Sequence, residues 1–254
     1  MQITILGAGT AIPARGRSPA GIAVRIGGEL VLLDAGPGTL QRLAASGAPW
    51  TRLDRLFLTH FHLDHCLDLA SILFALRIPD VGRRAPLWVY GPPGLRTLYK
   101  RLNLALHRWL TPRGFGLRLV EVGHGTTLRL PGYAVRTARM AHDRGRALAY
   151  RLTADGRQLV YSGDTGECPA LARLARGADT LILECSLPDE RPAEGHLTPG
   201  ACGRIAAAAG AGHLVLTHFY PVFHGYDIRG RVRQAFRGRL TLARDGARFA
   251  LGAG

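Results

Sequence analysis

The chain has 254 residues, is 47% apolar and carries a formal net charge of +15, which suits a globular protein with a sizeable core. No apolar run approaches the ~20 residues of a membrane span, so no membrane partner is expected. The four cysteines, Cys66, Cys168, Cys185 and Cys202, form no C-x-x-C pair, which argues against a disulfide framework or a thiolate zinc site and suits buried free thiols in a cytoplasmic protein. Residues 1–7, without a basic start and soon broken by Gly and Pro, read as a first strand rather than a signal peptide. Residues 20–26 and 29–34 read as strands joined at Gly27-Gly28. Gly36-Pro37-Gly38 turns into a helix over 39–46, and an apolar strand over 52–58 stops at Thr59. A helix is expected from Asp64 to about Leu76. A strand over 86–90 ends at Gly91-Pro92-Pro93-Gly94, and a basic helix then runs to about Trp109. Strands follow over 117–121, 127–130, 133–140, 147–153 and 158–161.

The last third alternates. A helix over 169–176 leads to a strand over 180–184, and a helix capped by Thr198, with Pro199 at its first position, leads to a strand over 213–217. A helix over 229–237 precedes a hairpin of 240–243 and 247–251 that turns at Asp245-Gly246. No repeat, low-complexity tract or linker interrupts this order, so 1–254 reads as a single domain. Strands first, then strand–helix alternation, predict an α/β protein of two sheets covered by helices on their outer faces.

The chemistry concentrates in Thr59-His60-Phe61-His62-Leu63-Asp64-His65. In a chain still extended after the strand, His60 and His62 project to the same side. Asp64 and His65 then open the next helix. Three imidazoles and a carboxylate over six positions can bind two adjacent cations. Cys66 follows directly and is either a further ligand or a buried thiol.

The same arrangement, an apolar strand closed by a metal-type ligand, recurs three times. Residues 135–141 lead to His142, Leu159 through Gly163 to Asp164, and Leu214 through Thr217 to His218. In α/β architectures sites form just outside strand ends. If these ends are neighbours, seven ligands converge: His60, His62, Asp64, His65, His142, Asp164 and His218. Taken alone, His142 and His218 would read as structural histidines and Asp164 as a turn residue. His107, His124 and His213 read as structural or exposed, and so does His224, close after His218, with a place in the pocket wall as its alternative.

With these blocks the chain resembles the metallo-β-lactamase superfamily, and within it the ribonuclease Z-like branch. Residues 59–65 match the hallmark Thr-His-x-His-x-Asp-His, and Leu-Leu-Asp-Ala-Gly-Pro-Gly-Thr at 32–39, Ser-Gly-Asp-Thr at 162–165 and Leu-Thr-His-Phe at 216–219 look like the other blocks. The resemblance implies a four-layer αββα sandwich with the metals at one edge of the two sheets. It implies that His60, His62 and His142 hold one ion, that Asp64, His65 and His218 hold the other, and that Asp164 bridges them. It also implies that Asp34 orients a ligand. His196 resembles the extra histidine that protonates the leaving group or steadies the scissile phosphate, with Glu184 and Glu194 as candidate carboxylate partners. Two features depart from the pattern. Cys66-Leu67-Asp68 replaces a glycine often found there. Only 22 positions separate His142 from Asp164, where tRNA-processing members insert a long arm that grips the tRNA body, so the chain looks like a short form.

These residues predict a binuclear metal-dependent hydrolase, a phosphodiesterase or ribonuclease with Asp64 and His196 as its catalytic groups. Imidazole and carboxylate ligands suit two Zn²⁺, with Mn²⁺ or Fe²⁺ as alternatives. The expected partner is a phosphodiester, RNA or a nucleotide, and a homodimer is left open. Between Arg77 and Arg113 lie Arg77, Arg83, Arg84, Arg96, Lys100, Arg101, Arg108 and Arg113 against Asp80 alone, which reads as an anion-facing surface or as an arginine-rich codon preference. Two rival readings remain. One is a hydrolase of carboxylic esters, lactones, β-lactams or sulfate esters, and the other a nucleic-acid-binding protein with a vestigial site.

Overall fold

The computed structural model describes residues 1–251. Its first strands are β1 (Gln2–Gly7), β2 (Gly21–Ile26), β3 (Glu29–Leu33), β4 (Leu53–Phe57), β5 (Leu87–Gly91), β6 (Leu117–Glu121) and β7 (Thr127–Leu130). Then come β8 (Tyr133–Arg139), β9 (Leu148–Ala154), β10 (Arg157–Tyr161), β11 (Thr180–Glu184), β12 (His213–Thr217), β13 (Arg239–Leu242) and β14 (Arg248–Ala250). The helices are α1 (Thr39–Ala45), α2 (Leu63–Cys66), α3 (Asp68–Leu76), α4 (Leu95–Ala105), α5 (Pro169–Ala175), α6 (Pro199–Ala209) and α7 (Ile228–Arg233). They build two seven-stranded sheets, ordered β14-β1-β2-β3-β4-β5-β6 and β13-β12-β11-β10-β9-β8-β7.

Strand alternation sorts the core into three apolar layers, because successive side chains point to opposite faces. Val31, Leu33, Phe57, Tyr150, Leu159, Tyr161, Ile182 and Val215 pack between the sheets. Their neighbours Leu30, Leu32 and Leu56 face outward onto Leu43 of α1 and Leu69, Ile72 and Leu73 of α3. On the other side Val160, Leu181, Leu183, Leu214 and Leu216 face α5, α6 and α7 through Leu171, Ile205 and Val232. This is the expected four-layer αββα sandwich of the metallo-β-lactamase type. Among the described residues no helix is long and apolar enough to cross a membrane.

Strand direction brings the ligand-bearing ends together. β8 and β10 each pair antiparallel with β9, and β10, β11 and β12 run parallel. The four strands β8, β10, β11 and β12 therefore end at one edge. The end of β4 meets that edge from the other sheet, where Leu148 N–H donates to the Thr59 carbonyl at 2.9 Å and Tyr150 OH to the Leu58 carbonyl at 2.6 Å.

Three departures from expectation have reasons visible in the hydrogen bonding, and α7 also ends at Arg233 rather than at 237. The helix expected over 64–76 is broken at Leu67 into α2 and α3. Ala35 inserts there, its N–H taking the His65 carbonyl at 2.7 Å and its carbonyl the Asp68 N–H at 2.9 Å. Gly36 permits the approach, since a Cβ there would lie 2.1 Å from the Asp64 carbonyl oxygen. The basic helix ends at Ala105 rather than Trp109, because Asn103 Oδ1 accepts the Leu110 N–H at 2.9 Å and ties the chain into a loop. The C-terminal hairpin does not form: β13 pairs parallel with β12 in one sheet, and β14 antiparallel with β1 in the other. Asp245 at the expected turn instead accepts the Ala8 and Ser18 N–H groups at 2.9 and 2.8 Å.

The basic segment is also less exposed than its composition suggests. Arg77 and Arg83 are each 6% exposed and donate to backbone carbonyls rather than to solvent. Arg84, Arg96, Lys100, Arg101, Arg108 and Arg113 remain on the surface.

Candidate metal centre

All seven predicted ligands converge. Donor atoms of His60, His62, His142 and Asp164 lie within 4.8 Å of one another, and those of Asp64, His65 and His218 do the same. Asp164, 3% exposed, sits between the two groups. Its Oδ2 is 3.9 Å from His60 Nε2 and 3.8 Å from His142 Nε2, while its Oδ1 is 3.3 Å from His65 Nε2 and 3.5 Å from His218 Nε2. Each oxygen thus faces a different group.

Hydrogen bonds fix which imidazole nitrogen faces inward. Asp34 is fully buried. Its Oδ1 accepts the Thr59 N–H at 2.7 Å, and its Oδ2 accepts from His65 Nδ1 (2.7 Å), Tyr161 OH (2.8 Å) and Thr59 Oγ1 (2.9 Å). With its hydroxyl proton given to Asp34, Thr59 Oγ1 accepts from His60 Nδ1 at 3.0 Å. Ser186 donates to Glu184 Oε2 at 2.6 Å and so accepts from His218 Nδ1 at 3.0 Å. His142 Nδ1 donates to the Gly195 carbonyl at 2.9 Å. His60, His65, His142 and His218 therefore all present Nε2 to the cluster, the arrangement by which protein partners orient metal-binding imidazoles. His62 presents Nδ1, 3.2 Å from His142 Nε2.

The nitrogen pairs show what the cluster is built to hold. His65 Nε2 and His218 Nε2 face each other at 3.1 Å, with the N–H of each ring turned outward. Two such lone pairs need a cation between them. His60 Nε2 and Asp164 Oδ1 are buried without any hydrogen-bond partner, which is costly unless something else satisfies them. The donor set therefore fits metal ions.

The electrostatics agree. Burial would raise the Asp164 pKa, but His218, His65 and His60 outweigh it and hold the carboxyl well below its ordinary range. Burial would lower the His65 pKa, but Asp164 and Asp34 hold it well above 6.5, so the two carboxylates favour positive charge beside this ring. His60, desolvated and beside other imidazoles, is pushed the opposite way.

Two backbones are strained to make this site. Asp34 and His218 both adopt φ of 59°, a left-handed conformation that costs non-glycine residues of order 1–3 kcal/mol and persists where surrounding contacts over-determine it. Gly163 is required at the end of β10, because a Cβ there would lie 2.7 Å from the Thr59 Cβ.

Glu184, 1% exposed, is the carboxylate beside His196. Its Oε1 is 2.9 Å from His196 Nδ1 and also accepts the Thr165 N–H at 3.0 Å. Glu194 is exposed on the preceding loop. Burial would lower the His196 pKa, but the Glu184 bond outweighs it and raises it above 6.5. His196 lies against His142, ring centroids 5.0 Å apart, and lines a cavity of about 550 Å³ with Glu167, Asp189 and Arg204.

The remaining candidates lie outside the cluster. Cys66 donates to the Phe61 carbonyl at 3.4 Å, burial pushes its thiol up to about 12, and its sulfur belongs to none of the donor groups. His224 and His107 are exposed, His124 accepts the Arg139 N–H at 3.1 Å, and His213 pairs with Thr241 at 2.9 Å. Thr59, Tyr161 and Ser186 are supporting residues that motif reading missed. The signal for Ser186 was its spacing: two positions past Glu184 in an extended chain, it shares that side chain's face.

Residues 29–219 match the Beta-lactamase superfamily domain. The chain belongs to this superfamily. Within it the chain falls in the ribonuclease Z branch, being 30% identical to the ribonuclease Z of Myxococcus xanthus over 97% of this chain and 96% of that one. That alignment runs to 303 positions, more than this chain's 254 residues, so the relative carries insertions absent here. Among solved structures, the short form of human tRNase Z superposes with a TM-score of 0.81 at 27% identity, covering 100% of both chains. The metallo-beta-lactamase fold protein YhfI of Bacillus subtilis reaches 0.85 over 98% of both, at 24% identity, which shows the shared fold. Family and donor set together make the chain a metal-dependent hydrolase.

Proposed function

We propose that this hydrolase cleaves phosphodiesters, in RNA or in nucleotides, at a centre of two Zn²⁺ ions. His60, His62 and His142 would hold one ion, Asp64, His65 and His218 the other, and Asp164 both. The observation that carries this reading is the facing of inward imidazole nitrogens at 3.1 and 3.2 Å around a carboxylate whose two oxygens address different groups. Two such ions supply a nucleophilic water of lowered pKa and neutralise a transferring phosphoryl group.

The side chains do the rest. Asp64 Oδ2 lies 3.3 Å from His218 Nε2, and its other oxygen would align the attacking water. Glu184 favours the charged form of His196, which stands within 4.8 Å of ligand atoms of Asp164 and His218. From there it can hand a proton to the departing alkoxide. The three supporting networks around Asp34, Ser186 and Gly195 hold the imidazoles rigid, so little reorganisation accompanies the reaction.

The interval between His142 and Asp164 contains only a 3-10 turn and the β9–β10 hairpin. A chain of this form grips little of a large folded RNA, so short or single-stranded diesters suit it better. A panel of bis-p-nitrophenyl phosphate, short RNA, a lactone and a β-lactam, assayed on metal-loaded protein, tests the substrate class. Hydrolysis of the diester and the RNA is expected. Turnover of the lactone or β-lactam without either phosphodiester would replace this reading by the ester-type one, and no turnover at all by the vestigial one.

A further inference from the structure

Among the described residues four buried side-chain atoms have no hydrogen-bond partner: Thr39 Oγ1, His60 Nε2, Asp164 Oδ1 and Arg83 Nε. Two belong to the metal centre. Arg83 Nε marks a second place. Arg83 gives its Nη1 to the Thr51 carbonyl at 2.7 Å, and its Nη2 to the Leu53 and Pro86 carbonyls at 2.7 and 2.9 Å. These are neutral acceptors. Arg77, equally buried, donates Nη1 to the Trp109 carbonyl at 2.8 Å and stacks 4.7 Å from that ring. Neither guanidinium forms an ion pair among the described residues. Buried charges are ordinarily paired.

Both line one cavity of about 200 Å³, together with Arg84, Arg113, Gly82 and Gly114, and no acid lines it. Gly82 and Gly114 adopt positive φ, 63° and 81°. Arg84 Nη1 lies 3.4 Å from where a Gly114 Cβ would be, so a larger residue there would crowd that guanidinium. Asp54 acts on Arg83 only through space, without an ion pair, and Asp80 is not in the cavity lining. Asp54 accepts the Leu30 N–H at 2.8 Å, and Asp80 is exposed. A water occupies about 30 Å³ in the liquid, so the cavity has room for one tetrahedral oxyanion and a few waters.

The cavity is not part of the metal centre. Arg83 bonds the first residue of β4, whereas the ligands follow its last. At ~3.3 Å per residue the two are separated by more than ~13 Å.

We propose that this cavity binds a phosphate-class oxyanion, held by the exposed guanidiniums of Arg84 and Arg113 with the buried positive charges of Arg77 and Arg83 behind them. Guanidinium forks match such oxygens bidentately. The phosphate could be that of a small molecule or one group of an RNA backbone, and the recognition chemistry is the same.

The test is calorimetric titration of inorganic phosphate into metal-loaded protein, beside the R84A/R113A double variant, R113E and Asp164→Ala. Arg84 and Arg113 are exposed, so both variants are expected to fold as the parent does. One saturable site is expected to survive in Asp164→Ala, to weaken at least tenfold in R84A/R113A and to vanish in R113E. A single-stranded oligoribonucleotide identifies the source. Displacement of phosphate, with a log–log salt slope lowered by about 0.7 per lost contact in R84A/R113A, assigns the site to RNA backbone. Binding of phosphate without displacement assigns it to a small molecule. Phosphate binding that is unchanged in R84A/R113A and R113E, or that disappears in Asp164→Ala, would overturn the proposal by placing all binding elsewhere or at the metals.

Discussion

Asp164→Ala is expected to release both metal ions together and to abolish turnover. The carboxylate addresses both groups at 3.3 to 3.9 Å, so its loss weakens each ion directly. Even a residue that only orients a ligand costs ~10–100-fold in metal affinity. Losing a shared ligand costs more, and it costs both ions. Metal analysis after gel filtration should fall from about two equivalents to well under one. The metal-dependent rise in melting temperature should disappear with it, because binding energy at such a site is folding energy. The metal-free variant should remain folded, since it no longer has to bury a carboxylate. A variant that kept one full equivalent would show that Asp164 serves a single ion.

His196→Ala should leave the metal content intact and reduce turnover by about 10²–10⁴-fold, the usual contribution of a placed general acid. The residue is held by Glu184 at 2.9 Å and lies against His142, ring centroids 5.0 Å apart, without being one of the seven candidate ligands. The loss should shrink for a leaving group such as p-nitrophenolate, which departs without a proton, and stay large for a nucleoside alkoxide. An equal loss on both would make His196 a residue that positions the substrate. Glu184→Gln should weaken the same discrimination and shift the pH profile, because the carboxylate is what raises the His196 pKa.

The candidate ligands were legible because His60, His142, Asp164 and His218 each follow an apolar strand, with His62, Asp64 and His65 close behind the first; β8 and β10 run the same way because each is antiparallel to β9, and β10, β11 and β12 because helices connect them. Asp34 was legible through its block at 32–39, though not its fourfold hydrogen bonding, which depends on Tyr161 from the opposite sheet. The choice of Glu184 over Glu194 was not legible. It rests on the register of β11, where Glu184 pairs with Thr217 directly before His218, while Glu194 lies on a loop without regular pairing. The C-terminal Asp245-Gly246 misled for a related reason. A local hairpin signal competed with two long-range partners, β12 and β1, and with the two N–H groups that Asp245 holds. The basic segment misled because composition cannot separate Arg77 and Arg83, buried under Trp109 and Phe115, from their exposed neighbours.

The most direct test of the two-metal reading is elemental analysis of the full chain purified without chelator, combined with a diester assay on the same sample. Close to two equivalents of transition metal per chain are expected, with hydrolysis lost on chelation and restored by adding Zn²⁺. Protein that contains no metal and still hydrolyses the diester at its full rate would contradict it.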